Sequence, residues 1–247
     1  MIAGRVEPMT ARIGAMMLLL AVIVLVISTE LHPAHENPMD NPAVFREYAQ
    51  SNLWIAVHLG QLLGFLLVIG GLVAVYYSLA TRRDAGAAVA RFGLAAALTT
   101  GAAFTILQAV DGIALKRAVD AWVSAPPDQQ VAAFAAAEAI RWIEIGVNSL
   151  AFSLVGLTLL LFGIAMALSN LYPRWVGALG AAAGLANLIR GVGVSYQGFV
   201  PSIAALVGLA LLALWALVMV VLLWRGSTRP VIAEVAEGLP APVLTAG

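Results

Sequence analysis

The chain has 247 residues, of which 62% are hydrophobic and 11% charged, with zero formal net charge and a mean hydropathy of +0.96. A soluble domain carries roughly 25% charged residues, so this chain lacks the polar surface that water demands, and its balanced charge gives no basis for nucleic-acid binding. It has no cysteine, which excludes disulfides, thiolate metal sites and cysteine catalysis.

A membrane span needs about 20 largely apolar residues at 1.5 Å rise. Six segments meet this, at 13–29, 54–79, 88–115, 139–168, 175–194 and 199–224. They predict an all-α, polytopic membrane bundle that forms a single domain over residues 1–225. The first segment is short and follows Arg5 and Arg12. Such a start also fits a signal peptide ending near Val26-Ile27-Ser28, which would leave five spans. Residues 30–53 form the longest connection, with Pro33, Pro38 and Pro42 and two of the three histidines. Their tail, AVFREYAQSNLW, reads as a short amphipathic helix around Phe45 and Tyr48. The connection 119–138 contains Pro126-Pro127, and proline is tolerated in a first helical turn, so the fourth helix is expected to start near Asp128 and run long. Gly198 and Pro201 mark a tight turn before the last span. The tail 226–247, rich in Pro, Ala, Val and Gly, is expected to be disordered.

Basic residues orient the bundle. With the N-terminus inside, the inner connections hold Arg5, Arg12, Arg82, Arg83, Arg91, Arg174, Arg225 and Arg229, against Arg46, Lys116 and Arg117 outside. Both termini are therefore expected in the cytoplasm, with the chain in the plasma (inner) membrane and the lipid bilayer as its surroundings. Glycines at Gly60 and Gly64, and at Gly177, Gly180 and Gly184, read as sites of close helix packing.

The informative residues are the polar ones inside the spans. A charged side chain at the bilayer centre costs about 2.5–3.5 kcal/mol on insertion scales, so each needs a partner or water. Threaded through the topology, His58 and Gln61, Gln108 and Asp111, Arg141, Glu144 and Asn148, and Asn187 and Arg190 all fall in the outer half. Each lies roughly 5–15 Å from the outer interface at 1.5 Å per residue. They come from four helices, and the inner halves carry nothing comparable. This predicts a polar cup open to the outside under the 30–53 connection. Two readings follow. The residues either pair with one another to orient the helices, at about 0.6–2 kcal/mol each, or they bind a small or amphipathic ligand or a membrane partner. In the second reading Arg190 contacts an anionic group, with Asp111 and Glu144 as its counter-ions. The lack of inner polar residues speaks against a channel or transporter.

A different chemistry is open to His32, His35 and His58, with Glu30, Glu36 and Asp40 nearby. Zinc takes three or four nitrogen and oxygen ligands, and a bound divalent metal makes water nucleophilic. That would make the protein a metal-assisted hydrolase acting at the outer leaflet, with Glu144 or Asp111 as base. The segment His32-Pro33-Ala34-His35-Glu36 is not the helical H-E-x-x-H arrangement, because Pro33 breaks its geometry. Only His58 lies within a span, which leaves haem without a second axial histidine.

The start Thr10-Ala11-Arg12-Ile13-Gly14, the Pro/Asn-rich connection, the Arg-led third helix, the run Leu171-Tyr172-Pro173-Arg174-Trp175-Val176-Gly177-Ala178-Leu179-Gly180 and the last-helix stretch Ala213-Leu214-Trp215-Ala216-Leu217-Val218 together resemble a bacterial family, domain of unknown function 4386. The likeness spans most of residues 10–225. It implies an integral membrane protein of about six helices, without an assigned chemistry or functional residue.

Overall fold

Short polar stretches decide where the helices begin and end. Asp84 starts the third long helix by accepting a hydrogen bond from the Ala87 amide at 2.9 Å, and Asp40 starts a short one through the Ala43 amide at 3.2 Å. Gly198 ends another in a left-handed conformation, with φ at 68°. The structure, a computed structural model, describes residues 7–81 and 83–228. Among these the elements are α1 (Pro8–Glu30), α2 (Asn41–Gln50), α3 (Trp54–Ala80), α4 (Ala85–Gln108), a π-helical stretch (Ala109–Leu115), α5 (Lys116–Ser124), α6 (Gln130–Leu168), α7 (Arg174–Gln197) and α8 (Ile203–Thr228). No strand occurs among the described residues.

Among the described residues, six helices are long and apolar enough to cross a membrane. The chain is a multi-pass membrane protein with an all-α fold. Each long helix packs against its neighbour in sequence, and α8 returns to α1, so the six close into a ring. Some boundaries differ from the expected spans. The third span does not end at Leu115 but continues through the π-helical stretch to Ser124, and α6 begins at Gln130, before the span boundary at 139 and close to the helix start expected near Asp128. Both extensions project beyond the bundle at one end, where α5 packs on α6 and on α2. The expected disordered tail is helical as far as Thr228, and residues 229–247 lie outside the described residues.

The α2 helix forms where the amphipathic pattern predicts it. Val44, Phe45 and Tyr48 are buried with Trp54, Leu115, Val119 and Ala137 in a small core of their own. Trp122 and Phe134 flank Phe45 at 6.1 and 5.8 Å between ring centres. Together with residues 31–40, this cap covers one end of the ring.

Lipid tails are as apolar as leucine, so close packing rather than exclusion of water must hold the helices together. The α6–α7 contact shows how. A Cβ built on Gly163 would lie 2.7 Å from the Gly177 carbonyl oxygen, one on Gly156 2.7 Å from that of Gly184, and one on Gly191 2.7 Å from that of Ser149. These rungs recur every seven residues on both helices, which is two helical turns. They let the two backbones touch. The ring interior away from the cap is filled by large buried side chains, including Leu72, Leu159, Phe162, Met166, Trp215 and Met219.

Candidate functional site

The ring encloses a cavity of about 480 Å³ beneath the cap. All six long helices reach it: Leu25 and Thr29 from α1, Gln61 and Phe65 from α3, Phe104 and Gln108 from α4, Asn148 and Phe152 from α6, Arg190 from α7, and Leu209 and Leu212 from α8. His32, Pro33, Glu36 and Pro38 form its mouth with Glu47 and Tyr48 of α2.

The charged residues lie in layers. Near the mouth, Arg141 Nη1 donates to Glu144 at 2.8 and 3.0 Å, and the pair is almost fully buried. They are three residues apart on α6, so the pair is local. The guanidinium also donates to the Tyr48 hydroxyl and the Pro38 carbonyl, each at 3.3 Å. It lies 5.7 Å from the Tyr48 ring centre and 4.5 Å from that of Phe199, within cation–π range. Burial raises the Tyr48 phenol above its ordinary range, so it remains a hydroxyl. Arg141 thus ties the cap to the bundle.

On the neighbouring wall the π-helical turn, which packs against α6, changes what Asp111 can do. A π turn frees a backbone carbonyl from the α-helical ladder, and the Asp111 carbonyl accepts from the Trp54 indole at 3.2 Å. Gly112 allows the approach: a Cβ there would lie 3.0 Å from His58 Cγ. His58 Nε2 is 3.1 Å from Asp111 Oδ2, an ion-pair distance without hydrogen-bond alignment. His58 Nδ1 is 2.7 Å from the Trp54 carbonyl. A carbonyl only accepts, so Nδ1 carries a proton.

The cavity floor is aromatic. Phe65 stacks on Phe104 at 3.5 Å, and Phe152 meets Phe104 edge-on at 5.4 Å. Arg190 lies against this floor, its Cζ 3.4 Å from the Phe152 ring centre. No acid pairs with it among the described residues, and Nη1 is buried without a hydrogen-bond partner. Gln108 Oε1, Asp111 Oδ1 and Asn148 Oδ1 are likewise buried without partners.

Residues 13–230 match the family described as Domain of unknown function (DUF4386). The chain belongs to that family. Comparisons with curated proteins and with solved structures gave no match.

Of the residues expected in the cup, this DUF4386 protein places Gln61, Gln108, Asp111, Arg141, Glu144, Asn148 and Arg190 on the cavity wall. His58 stands behind the wall, 1% exposed, and reaches the cavity only through Asp111. Asn187 faces α8 instead, donating to the Gly208 carbonyl at 3.1 Å and to its own helix at Ala183. The expected pairing of Arg190 with Asp111 and Glu144 is corrected. Glu144 is held by Arg141 one turn away, and Asp111 by His58.

The three histidines do not converge. His32 does reach His58, with ring centres 5.1 Å apart, in a cluster with Trp54 and Tyr48. Burial, reinforced by the neighbouring His58, lowers the His32 imidazole below its ordinary range. His35 turns outward, its Nδ1 2.8 Å from Glu47 and its side chain 91% exposed. Among the described residues no group of three or more His, Asp or Glu side chains is placed to hold a metal ion.

Sequence reasoning missed the phenylalanine floor and the sandwich of Arg141 between Tyr48 and Phe199. The signal for the floor was present but indistinct. Phe104 and Phe152 lie four residues from Gln108 and Asn148, one turn deeper on the same faces, and isolated phenylalanines in apolar helices read as ordinary core.

Proposed function

We propose that this protein binds a small organic anion from the extracytoplasmic side, holding its negative group on Arg190 within the cup. The observation that carries the reading is the unpaired Arg190 guanidinium. An arginine inside a membrane bundle is expensive, and here Asp111 and Glu144, acids lining the same cavity, are committed to His58 and Arg141. Its stacking on Phe152 offsets about 2 kcal/mol or more in a desolvated site, but it supplies no counter-charge. An anionic ligand is the missing counter-charge. The orphaned acceptors on the same cavity wall support a ligand, since most buried polar groups find a hydrogen-bond partner.

The excess of arginines on the connections away from the cap supports an orientation with both termini in the cytoplasm. The cup then faces outward across the plasma membrane. The apolar filling of the opposite half of the ring supports one-sided binding over a through-path.

Benzoate is a suitable first probe. In the full chain reconstituted in nanodiscs, benzoate should raise the unfolding temperature of the wild type in a saturable manner. The effect should vanish in Arg190→Leu at unchanged yield and monodispersity. Equal benzoate shifts in both proteins would sink the reading.

A further inference from the structure

We propose that the occupant of the cup is a small hydroxy-carboxylate with an aryl-sized apolar body and a single negative charge. The proposal rests on the anion site at Arg190 and deepens it.

Charge defines the first requirement. Arg141 and Glu144 form a neutral pair. His58 carries its Nδ1 proton toward the Trp54 carbonyl, so a neutral ring would present a lone pair from Nε2 to Asp111 Oδ2 at 3.1 Å. Two bare acceptors at that separation repel, so one of the two groups carries a further proton. His58 and Asp111 are together neutral whichever of them holds it. His32 packs its ring 5.1 Å from that of His58, and burial together with that neighbour disfavours a second charge there. Glu47 is engaged by His35 at the mouth, and Glu36 is exposed there. Inside the mouth carboxylates Glu36 and Glu47, the wall is left with one positive charge, on Arg190. A monoanion balances it. A zwitterion leaves it uncompensated, and a dianion overshoots.

Hydrogen bonding sets the second requirement. Gln108 and Asp111 are 5% and 8% exposed, and each has an oxygen without a partner; Asn148 Oδ1 is a third. Gln108 Nε2 already donates to Gln61 at 3.3 Å, which leaves Oε1 as the free end. Asp111 Oδ1 is an acceptor, and Gln108 presents one while its amide donates to Gln61, so a carboxylate, which only accepts, satisfies neither. A hydroxyl supplies the donor without adding charge. Shape supplies the third. Phe65, Phe104, Phe152, Leu209 and Leu212 present an apolar floor to a cavity of about 480 Å³, within the range of small-molecule sites.

Four matched probes separate these requirements: mandelate, phenylacetate without the hydroxyl, phenylglycine with an ammonium in its place, and phenyl phosphate. Titration calorimetry on the full chain in nanodiscs should show mandelate binding at least about tenfold more tightly than each of the others, the size expected for leaving a buried polar group unsatisfied. In Gln108→Leu, or in Gln108→Met if the first folds poorly, the mandelate–phenylacetate gap should shrink to under about threefold. Phenylglycine or phenyl phosphate binding as tightly as mandelate would overturn the charge assignment, and phenylacetate doing so would overturn the hydroxyl. Either result leaves the anion site standing if Arg190→Leu still abolishes binding. Absence of binding by all four overturns the proposal, and the benzoate titration then decides whether the anion site falls with it.

Discussion

Arg141 and Glu144 are a buried pair whose worth lies in being complete. Removing one partner leaves an uncompensated charge among apolar groups, which costs about 3–5 kcal/mol, whereas replacing both by apolar residues is often neutral. Glu144→Leu should therefore destabilise the protein by about that amount, and the double variant Arg141→Leu/Glu144→Leu should recover part of it. The recovery is incomplete, because Arg141 also donates to Tyr48 and Pro38. Thermal unfolding of the single and double variants in one detergent measures this directly, and a double variant less stable than Glu144→Leu would contradict it. The two positions were legible in the sequence as polar residues three apart on one helical face. Their partnership was not, because counting residues from the interface puts Glu144, Asp111 and Arg190 at similar depths, and such a count does not say which charges touch.

At the level of elements, the α6–α7 seam depends on residues without side chains to spare. Gly163 and Gly156 on α6 meet Gly177 and Gly184 on α7 backbone to backbone. A leucine at Gly163 would have to displace α7 rather than a flexible side chain. Overpacking of this kind costs about 1–3 kcal/mol, so Gly163→Leu should lower the unfolding temperature clearly. The same substitution at Gly146, where an added Cβ meets nothing within 4 Å, should be nearly silent. Comparable losses at the two sites would show that the seam is not glycine-limited. The α7 glycines announce a contact face through their spacing, but not the partner helix. The π-helical stretch at Ala109–Leu115 was not legible at all. It adds a residue to a turn without leaving a mark in composition, and it is what brings the Asp111 backbone to Trp54.

For the whole molecule, the ring and its cap make the two ends of the bundle unlike, and the proposed orientation puts the cap outside. Because the chain has no cysteine, single cysteines report side cleanly. Ser124→Cys near the cap should react with an impermeant maleimide on intact cells. Thr81→Cys, exposed on the connection between α3 and α4, should react only after lysis. The reverse pattern would invert the orientation and place the cup toward the cytoplasm.

Hydropathy alone determined that the chain crosses the membrane and about where, because a bilayer filters sequence by length and polarity before any packing occurs. It also determined that the intramembrane polar residues share one half of the bundle, since depth follows from residue count at a fixed rise. Azimuth was left for the tertiary structure to decide. Which face of each helix looks inward depends on how neighbouring helices pack, and a one-residue change rotates a side chain by about 100°. That rotation sends Asn187 to α8 rather than to the cavity and places His58 behind Asp111. It also leaves Arg190 facing the phenylalanine floor, while Glu144 turns to Arg141.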